Sequence, residues 1–180
     1  MSNRLIILDR DGVINEDSDH YIKSADEWIP LSGSAQAIAR LNSAGYNVGV
    51  ATNQSGIARG IFTVATLEEM HQKMADHLAS HSAHVDRIVF CPDHPDQAGP
   101  DRKPEPGMAF QLLDAFAAKA EETWLVGDKL SDVLCAVNAG CKPALVKTGK
   151  GRRTLTRPEI AELNVPVFNN LSEFVDHLLA

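Results

Sequence analysis

Asp9 and Asp11 stand one residue apart in LIILDRDGVIN, directly after the apolar run of residues 5–8. A run of this kind reads as a buried strand, and a buried parallel strand has no place for a carboxylate in its middle. At its carboxyl end the chain leaves the sheet, and open α/β sheets bind ligands along that edge. A spacing of two sends both side chains to one side of the strand or of the turn after it. Carboxylates that converge there repel one another unless a cation neutralises them, so the pair suggests a divalent metal held by hard oxygen ligands. The duller reading is a polar turn in which Gly12 supplies the bend.

The elements that must position such a pair follow from periodicity. Residues 12–32 contain Gly, Pro, Ser, several acids and the exposed-looking Tyr21 and Trp28, with no sustained period, and read as a long functional loop. Ala37, Ile38 and Leu41 recur at helical spacing, predicting a helix over 34–44 that Gly45 stops. Residues 46–51 read as a second strand, ending in Thr52, Asn53, Gln54, Ser55 and Gly56. Val64, Leu67, Met70, Met74 and Leu78 form an apolar stripe, which predicts an amphipathic helix over 64–80. Its His71, His77 and His81, with the neighbouring His84, read as solvated residues rather than metal ligands.

A third strand is expected over 85–90, followed by a Pro/Asp/Gly-rich loop and a helix over about 108–119. A short strand over 123–126 ends in Gly127-Asp128, and a helix over about 131–138 closes at Gly140. Short strands over 144–146 and 165–168 and a last helix over 172–179 complete the alternation. Strands alternating with helices predict an α/β fold: a doubly wound, mainly parallel sheet with helices on both faces. The 180 residues are expected to form one domain, with no repeat or linker.

In a parallel sheet all strand ends point the same way, so residues far apart in the chain can converge. Asp9 and Asp11, Thr52 and Asn53, Arg102 and Lys103, and Asp128 and Asp132 stand at four such ends. Carboxylates for a metal, a hydroxyl, an amide and a lysine are what a transferring phosphoryl group needs, because positioning and charge neutralisation supply most of its catalysis. Each residue also has an ordinary reading. Thr52 or Asn53 would cap a helix, Arg102 and Lys103 would be surface charges, and Asp132 would face a helix dipole.

Taken together, DRDGVIN, ATNQSGIARG, RKPEPGM and VGDKLSD resemble, in order and position, the four motifs of the haloacid dehalogenase-like (HAD) phosphatases. The resemblance spans about residues 4–147. NQSGIARG and the segment KTGKG make the chain most similar to the capless branch that acts on D-glycero-D-manno-heptose 1,7-bisphosphate, a branch that also resembles the histidinol-phosphatases. The resemblance implies a capless HAD-like Rossmannoid fold and a phosphoric monoester hydrolase. Asp9 would be the nucleophile that forms an aspartyl-phosphate, and Asp11 the acid and base. Mg²⁺ would sit between the Asp9 carboxylate, the Asp11 backbone carbonyl and the Asp128 carboxylate, with Asp132 in support.

Thr52 and Lys103 would stabilise the phosphoryl group, and Arg102 and Lys129 would contact the rest of a sugar phosphate. Asn53, Gln54 and Ser55, with Asp17, Ser18, Asp19 and His20, would line the entrance. Such an enzyme would feed the heptose of lipopolysaccharide in the cytoplasm of a Gram-negative cell.

One departure is plain. Relatives often carry a zinc loop, Cys-x-His and later Cys-x-Cys, after the third strand. Here CPDHPDQAGPDRKPEPGM keeps only Cys91 and His94, half a tetrahedral site, so no structural zinc is expected. Gly149-Lys150-Gly151 lacks the first Gly and the Ser or Thr of a nucleotide loop. Lys147, Lys150, Arg152 and Arg153 would either attract an anionic substrate or simply be exposed.

The rival readings are a histidinol-phosphatase and a phospho-acceptor signalling domain; a binding module that has lost catalysis ranks behind both. The signalling reading would require the acceptor aspartate after the third strand, where Cys91-Pro92 stands instead. A formal charge of −7 argues against a broad nucleic-acid footprint. Three scattered cysteines, 91, 135 and 141, argue for a reducing compartment. No run approaches the roughly 20 apolar residues of a membrane span, and the opening MSNR carries no export signal. The expectation is a cytoplasmic monomer.

Overall fold

In the computed structural model, which describes residues 3–180, the apolar runs do form a parallel sheet. Met1 and Ser2 of the opening MSNR lie outside the described residues. The strands are β1 (Leu5–Leu8), β2 (Asn47–Asn53), β3 (Arg87–Cys91), β4 (Trp124–Gly127), β5 (Lys142–Val146) and β6 (Val167–Phe168). They lie in the order β3-β2-β1-β4-β5-β6, and every pairing is parallel. Winding therefore reverses beside β1, the place where sheets of this order open a crevice for ligands. The expected class, doubly wound and parallel, is what is found.

The helices are α1 (Ser34–Ser43), α2 (Val64–Ala79), α3 (Gly107–Ala115), α4 (Leu130–Ala139), α5 (Gly151–Thr154), α6 (Pro158–Glu162) and α7 (Leu171–Leu179). Side-chain alternation along β1 divides the core between the two faces. Ile6 and Leu8 pack with Ile38 and Leu41 of α1, Leu67, Met70 and Met74 of α2, and Phe174 of α7. Leu5 and Ile7 pack with Met108 and Leu112 of α3 and with Cys135 and Ala136 of α4. All three cysteines are free and buried.

Several expectations need correction. Trp28 is 1% exposed and belongs to the core, because the 12–32 segment folds back on itself through bridges from Asn15 to Asp11 and to Pro30. Tyr21 is half-buried, in the left-handed region at φ 66°. The stripe on α2 buries Leu67, Met70, Met74 and Leu78, but Val64 at its first turn is exposed. Helix α3 stops at Ala115 rather than near Lys119, since Ala117 turns to φ 48°. The 147–165 stretch contains α5 and α6, which are too short for periodicity to reveal.

Candidate active site

β1 and β4 are neighbours, with Leu8 beside Val126, so the chain leaving each strand carries Asp9 and Asp128 to the same edge. The Asp9 backbone N–H still donates to the Val126 carbonyl at 2.9 Å, which extends the ladder by one residue. Oxygens of Asp9, Asp128 and Asp132 lie within 4.8 Å of one another, and all three residues are buried. Asp132 reaches this point from the first turn of α4. Its Oδ2 accepts from the backbone N–H groups of Asp128 and Lys129 at 3.1 and 3.0 Å, while Oδ1 pairs with Lys103 Nζ at 2.6 Å.

Lys103 is buried with all its contacts satisfied. Besides Asp132 its ammonium meets Asp9 Oδ1 at 3.0 Å and donates to the Ala51 carbonyl at 2.7 Å. Lys129 lies 3.4–3.6 Å from carboxylate oxygens of Asp9, Asp17 and Asp128. Burial opposes ionisation of Asp9, but the ammoniums of Lys103 and Lys129 outweigh it and hold its carboxyl at about 2. Burial also works against both ammoniums, yet the surrounding carboxylates raise each above the usual lysine value. Asp128 goes the other way: burial pushes it up to about 8, with the Lys129 ammonium opposing and the Asp9 and Asp132 carboxylates adding to the rise. The site thus holds one firmly ionised carboxylate beside another that lacks sufficient cationic charge.

Asp11 stands at the pocket edge. Its Oδ1 accepts from Arg10 Nε at 3.0 Å and Asn15 Nδ2 at 2.9 Å and is 2.8 Å from Arg10 Nη2, while Oδ2 accepts from Gln54 Nε2 at 3.1 Å. The same Gln54 amide donates to Thr52 Oγ1 at 2.9 Å. A cavity of about 300 Å³ opens above these groups. Asp9, Asp11, Asp17, Ser18, Asp19, Asn53, Gln54, Ser55, Arg102, Lys103, Lys129 and Asp132 line it, in agreement with the expected convergence. Thr52 and Asp128 are 1% and 0% exposed and lie behind that lining. His20 is exposed and does not line the cavity, because the turn at Asp17–His20 points it to solvent.

Three roles differ from expectation. Asn53 touches the cavity, but its amide is spent on the backbone of Lys103. His71 is not solvated: its Nε2 is buried, and burial, with a smaller contribution from the Arg10 charge, lowers its imidazole to about 4. The Gly149-Lys150 segment backs Asp128. Lys150 N–H donates to Asp128 Oδ2 at 2.8 Å, and a Cβ at Gly149 would come within 2.3 Å of that oxygen. Lys150 Nζ also pairs with Asp17 and Asp19, at 3.4 and 3.3 Å, and Arg153 pairs with Asp19. Arg10, Asn15, Ser131 and Tyr21 escaped the sequence reading; only the position of Arg10, between the two aspartates, hinted at it.

A family model described as HAD-hydrolase-like matches residues 101–174. The chain is 52% identical over 158 residues to the D-glycero-beta-D-manno-heptose-1,7-bisphosphate 7-phosphatase of Pseudomonas aeruginosa, covering 88% of this chain and 89% of that one. The Neisseria meningitidis serogroup B protein of the same name is 50% identical, covering 98% and 95%. The chain belongs to the heptose-bisphosphate phosphatase family of HAD-like hydrolases. A crystal structure of D,D-heptose 1,7-bisphosphate phosphatase from Bordetella bronchiseptica, complexed with magnesium and phosphate, superposes with a TM-score of 0.92 at 47% identity, covering 98% of each chain.

The aspartates suit the hard cation found in that HAD-like neighbour. Among the described residues Asp9 Oδ2 and Asp128 Oδ1 pair with the Lys129 ammonium alone, at 3.6 and 3.4 Å, whereas both Asp132 oxygens are committed to Lys103 and backbone N–H groups. Among the described residues no helix is long and apolar enough to cross a membrane.

Proposed function

We propose that this protein is a Mg²⁺-dependent phosphatase that removes the 7-phosphate of D-glycero-D-manno-heptose 1,7-bisphosphate through an aspartyl-phosphate on Asp9. The observation that carries the reading is the ionised Asp9, held at the pocket by Lys103 and Lys129 beside the charge-starved Asp128. The names of relatives about half identical to this chain support the substrate, and those names specify the β anomer.

Asp9 attacks phosphorus while Lys103 and the Thr52 hydroxyl neutralise the phosphoryl oxygens. Asp11 protonates the departing sugar oxygen, then takes a proton from the water that releases phosphate. Asp9, Asp128 and the Asp11 backbone carbonyl would hold Mg²⁺, which supplies further neutralisation of the transferring oxygens. Arg102, Lys129 and Lys150 form the cationic wall facing the rest of the substrate, with Asp17, Ser18, Asp19, Gln54 and Ser55 along the rim. One cytoplasmic domain acting as a monomer is the simplest arrangement, and we expect no stoichiometric zinc, since Cys91 and His94 would supply only half a site.

The test is phosphate release with Mg²⁺ from both anomers of the bisphosphate and from histidinol phosphate, with metal analysis of the same preparation. A higher kcat/KM for the bisphosphate, lost by several orders of magnitude in Asp9→Asn, is the expected result. A preference for histidinol phosphate would move the same chemistry to that substrate, stable phosphorylation without turnover would favour the signalling reading, and one zinc per chain would overturn the metal assignment.

A further inference from the structure

We propose that Arg10 and Asn15 are positioning residues that lock Asp11, so that only its Oδ2 exchanges a proton with substrate and water. The inference rests on the phosphatase reading above and adds to it a division of labour between the two oxygens of one carboxyl group.

Two N–H groups donate to Asp11 Oδ1, Arg10 Nε at 3.0 Å and Asn15 Nδ2 at 2.9 Å, and the guanidinium charge stands over the same oxygen with Arg10 Nη2 2.8 Å away. An oxygen that accepts two hydrogen bonds beside a guanidinium charge has its lone pairs taken, so it has no room for a proton of its own. Oδ2 meets the single amide of Gln54 at 3.1 Å and keeps a lone pair or a proton for the cavity that Asp11 lines.

The placement of Arg10 argues for a task beyond filling space. Its side chain is 0% exposed, reaching Met70 Sδ at 3.8 Å on the α2 side of the sheet. A buried guanidinium gives up its hydration, and an apolar side chain would fill the same volume without that cost. Among the described residues Asp11 is the carboxylate with which it pairs. Asn15 is fully buried too, and its amide N–H₂ is shared between Asp11 and the Glu16 carbonyl, which fixes its orientation.

As the Asp9–phosphorus bond forms and the bond from phosphorus to the sugar oxygen breaks, the Oδ2 proton passes to that oxygen and Asp11 becomes a carboxylate. When water attacks phosphorus and the Asp9–phosphorus bond breaks, one water proton returns to Oδ2. Nothing else is consumed.

The experiment compares leaving groups. A sugar oxygen needs the proton in order to depart, whereas the phenolate of 4-nitrophenyl phosphate does not. Arg10→Met is expected to lower kcat/KM on the heptose bisphosphate about 100-fold, through kcat rather than KM, the lower end of what general acid catalysis supplies. On the nitrophenyl ester the loss in kcat/KM, which covers the steps up to departure of the phenolate and not the later hydrolysis that both esters share, should stay within about 5-fold, the remainder being the general cost of disturbing the site. Arg10→Lys should recover part of kcat/KM on the sugar ester. Asn15→Ala, read in the same way, keeps the test open if Arg10→Met fails to fold.

Equal losses of kcat/KM on both esters would make Arg10 and Asn15 merely structural and overturn the inference, leaving the phosphatase reading intact. A wild-type protein that releases phosphate from neither ester would overturn that reading, and this inference with it.

Discussion

Asn53 grips Lys103 by the backbone: its Oδ1 accepts from the Lys103 N–H at 3.0 Å and its Nδ2 donates to the Lys103 carbonyl at 3.0 Å. The end of β2 thereby positions a lysine fifty residues further on, whose ammonium reaches Asp9. Asn53→Ala should cost about 1–2 kcal/mol in urea denaturation, as expected for two partly buried hydrogen bonds. Its larger effect should be on rate, with kcat about 10- to 100-fold lower because Lys103 loses its register to Asp9. Unchanged kcat would show that Ala51 and Asp132 hold Lys103 without help.

Lys103 and Asp132 form a buried pair, 2.6 Å apart, and removing the ammonium alone leaves the Asp132 carboxylate with backbone N–H groups as its partners among the described residues. Lys103→Met should destabilise the fold by about 3–5 kcal/mol, the usual cost of breaking such a pair. Adding Asp132→Asn should restore much of that stability while activity stays lost, since the ammonium facing Asp9 is still missing. Thermal unfolding of both variants beside their phosphate release separates the two effects.

Gly12 and Gly45 share a left-handed backbone, at φ 89° and 81°, but only Gly12 faces the site. A Cβ at Gly12 would come within 2.1 Å of Asp128 Oδ2, whereas at Gly45 it would meet nothing within 4 Å. Both Gly→Ala variants should lose about 1 kcal/mol from the strained conformation. Gly12→Ala alone should also raise the Mg²⁺ concentration needed for half-maximal rate, because Asp128 must move. A magnesium titration of the two variants shows whether the aspartate is held by this close approach.

His71 predicts an acid sensitivity. Burial, then the nearby Arg10 charge, lowers its folded-state value from 6.5 to about 4, while the unfolded chain keeps the ordinary value. Between those limits the unfolded state binds the extra proton, so this stability is complete above about pH 6.5 and is lost as pH falls toward 4. At about 1.4 kcal/mol per pH unit the span amounts to ~3 kcal/mol. His71→Leu should flatten that part of the curve in denaturation experiments at pH 7 and pH 4.5. An identical slope in the variant would assign the acid loss to other groups.

What was legible in the chain was local. The run before Asp9 and the stripe from Leu67 to Leu78 carry their own periods, and a strand or helix with one apolar face has few ways to bury it. With the strands known to be parallel, the convergence of Asp9, Thr52 and Asp128 followed from direction alone, whereas Lys103, in the loop after β3, is held there by Asn53.

The partners of the polar groups were decided only in three dimensions. Arg10 lies between two aspartates in sequence yet turns to Met70 and Asp11; Trp28 looked exposed until the 12–32 segment closed over it. Asn53 spends its amide on a backbone fifty residues away, and the backbone at Lys150 meets an aspartate twenty-two residues before it. A hydrogen-bonding side chain at a strand end has no period to reveal its choice. It takes whichever donor or acceptor the packed fold brings within about 3 Å, and that neighbour is set by how the sheet and helices stack.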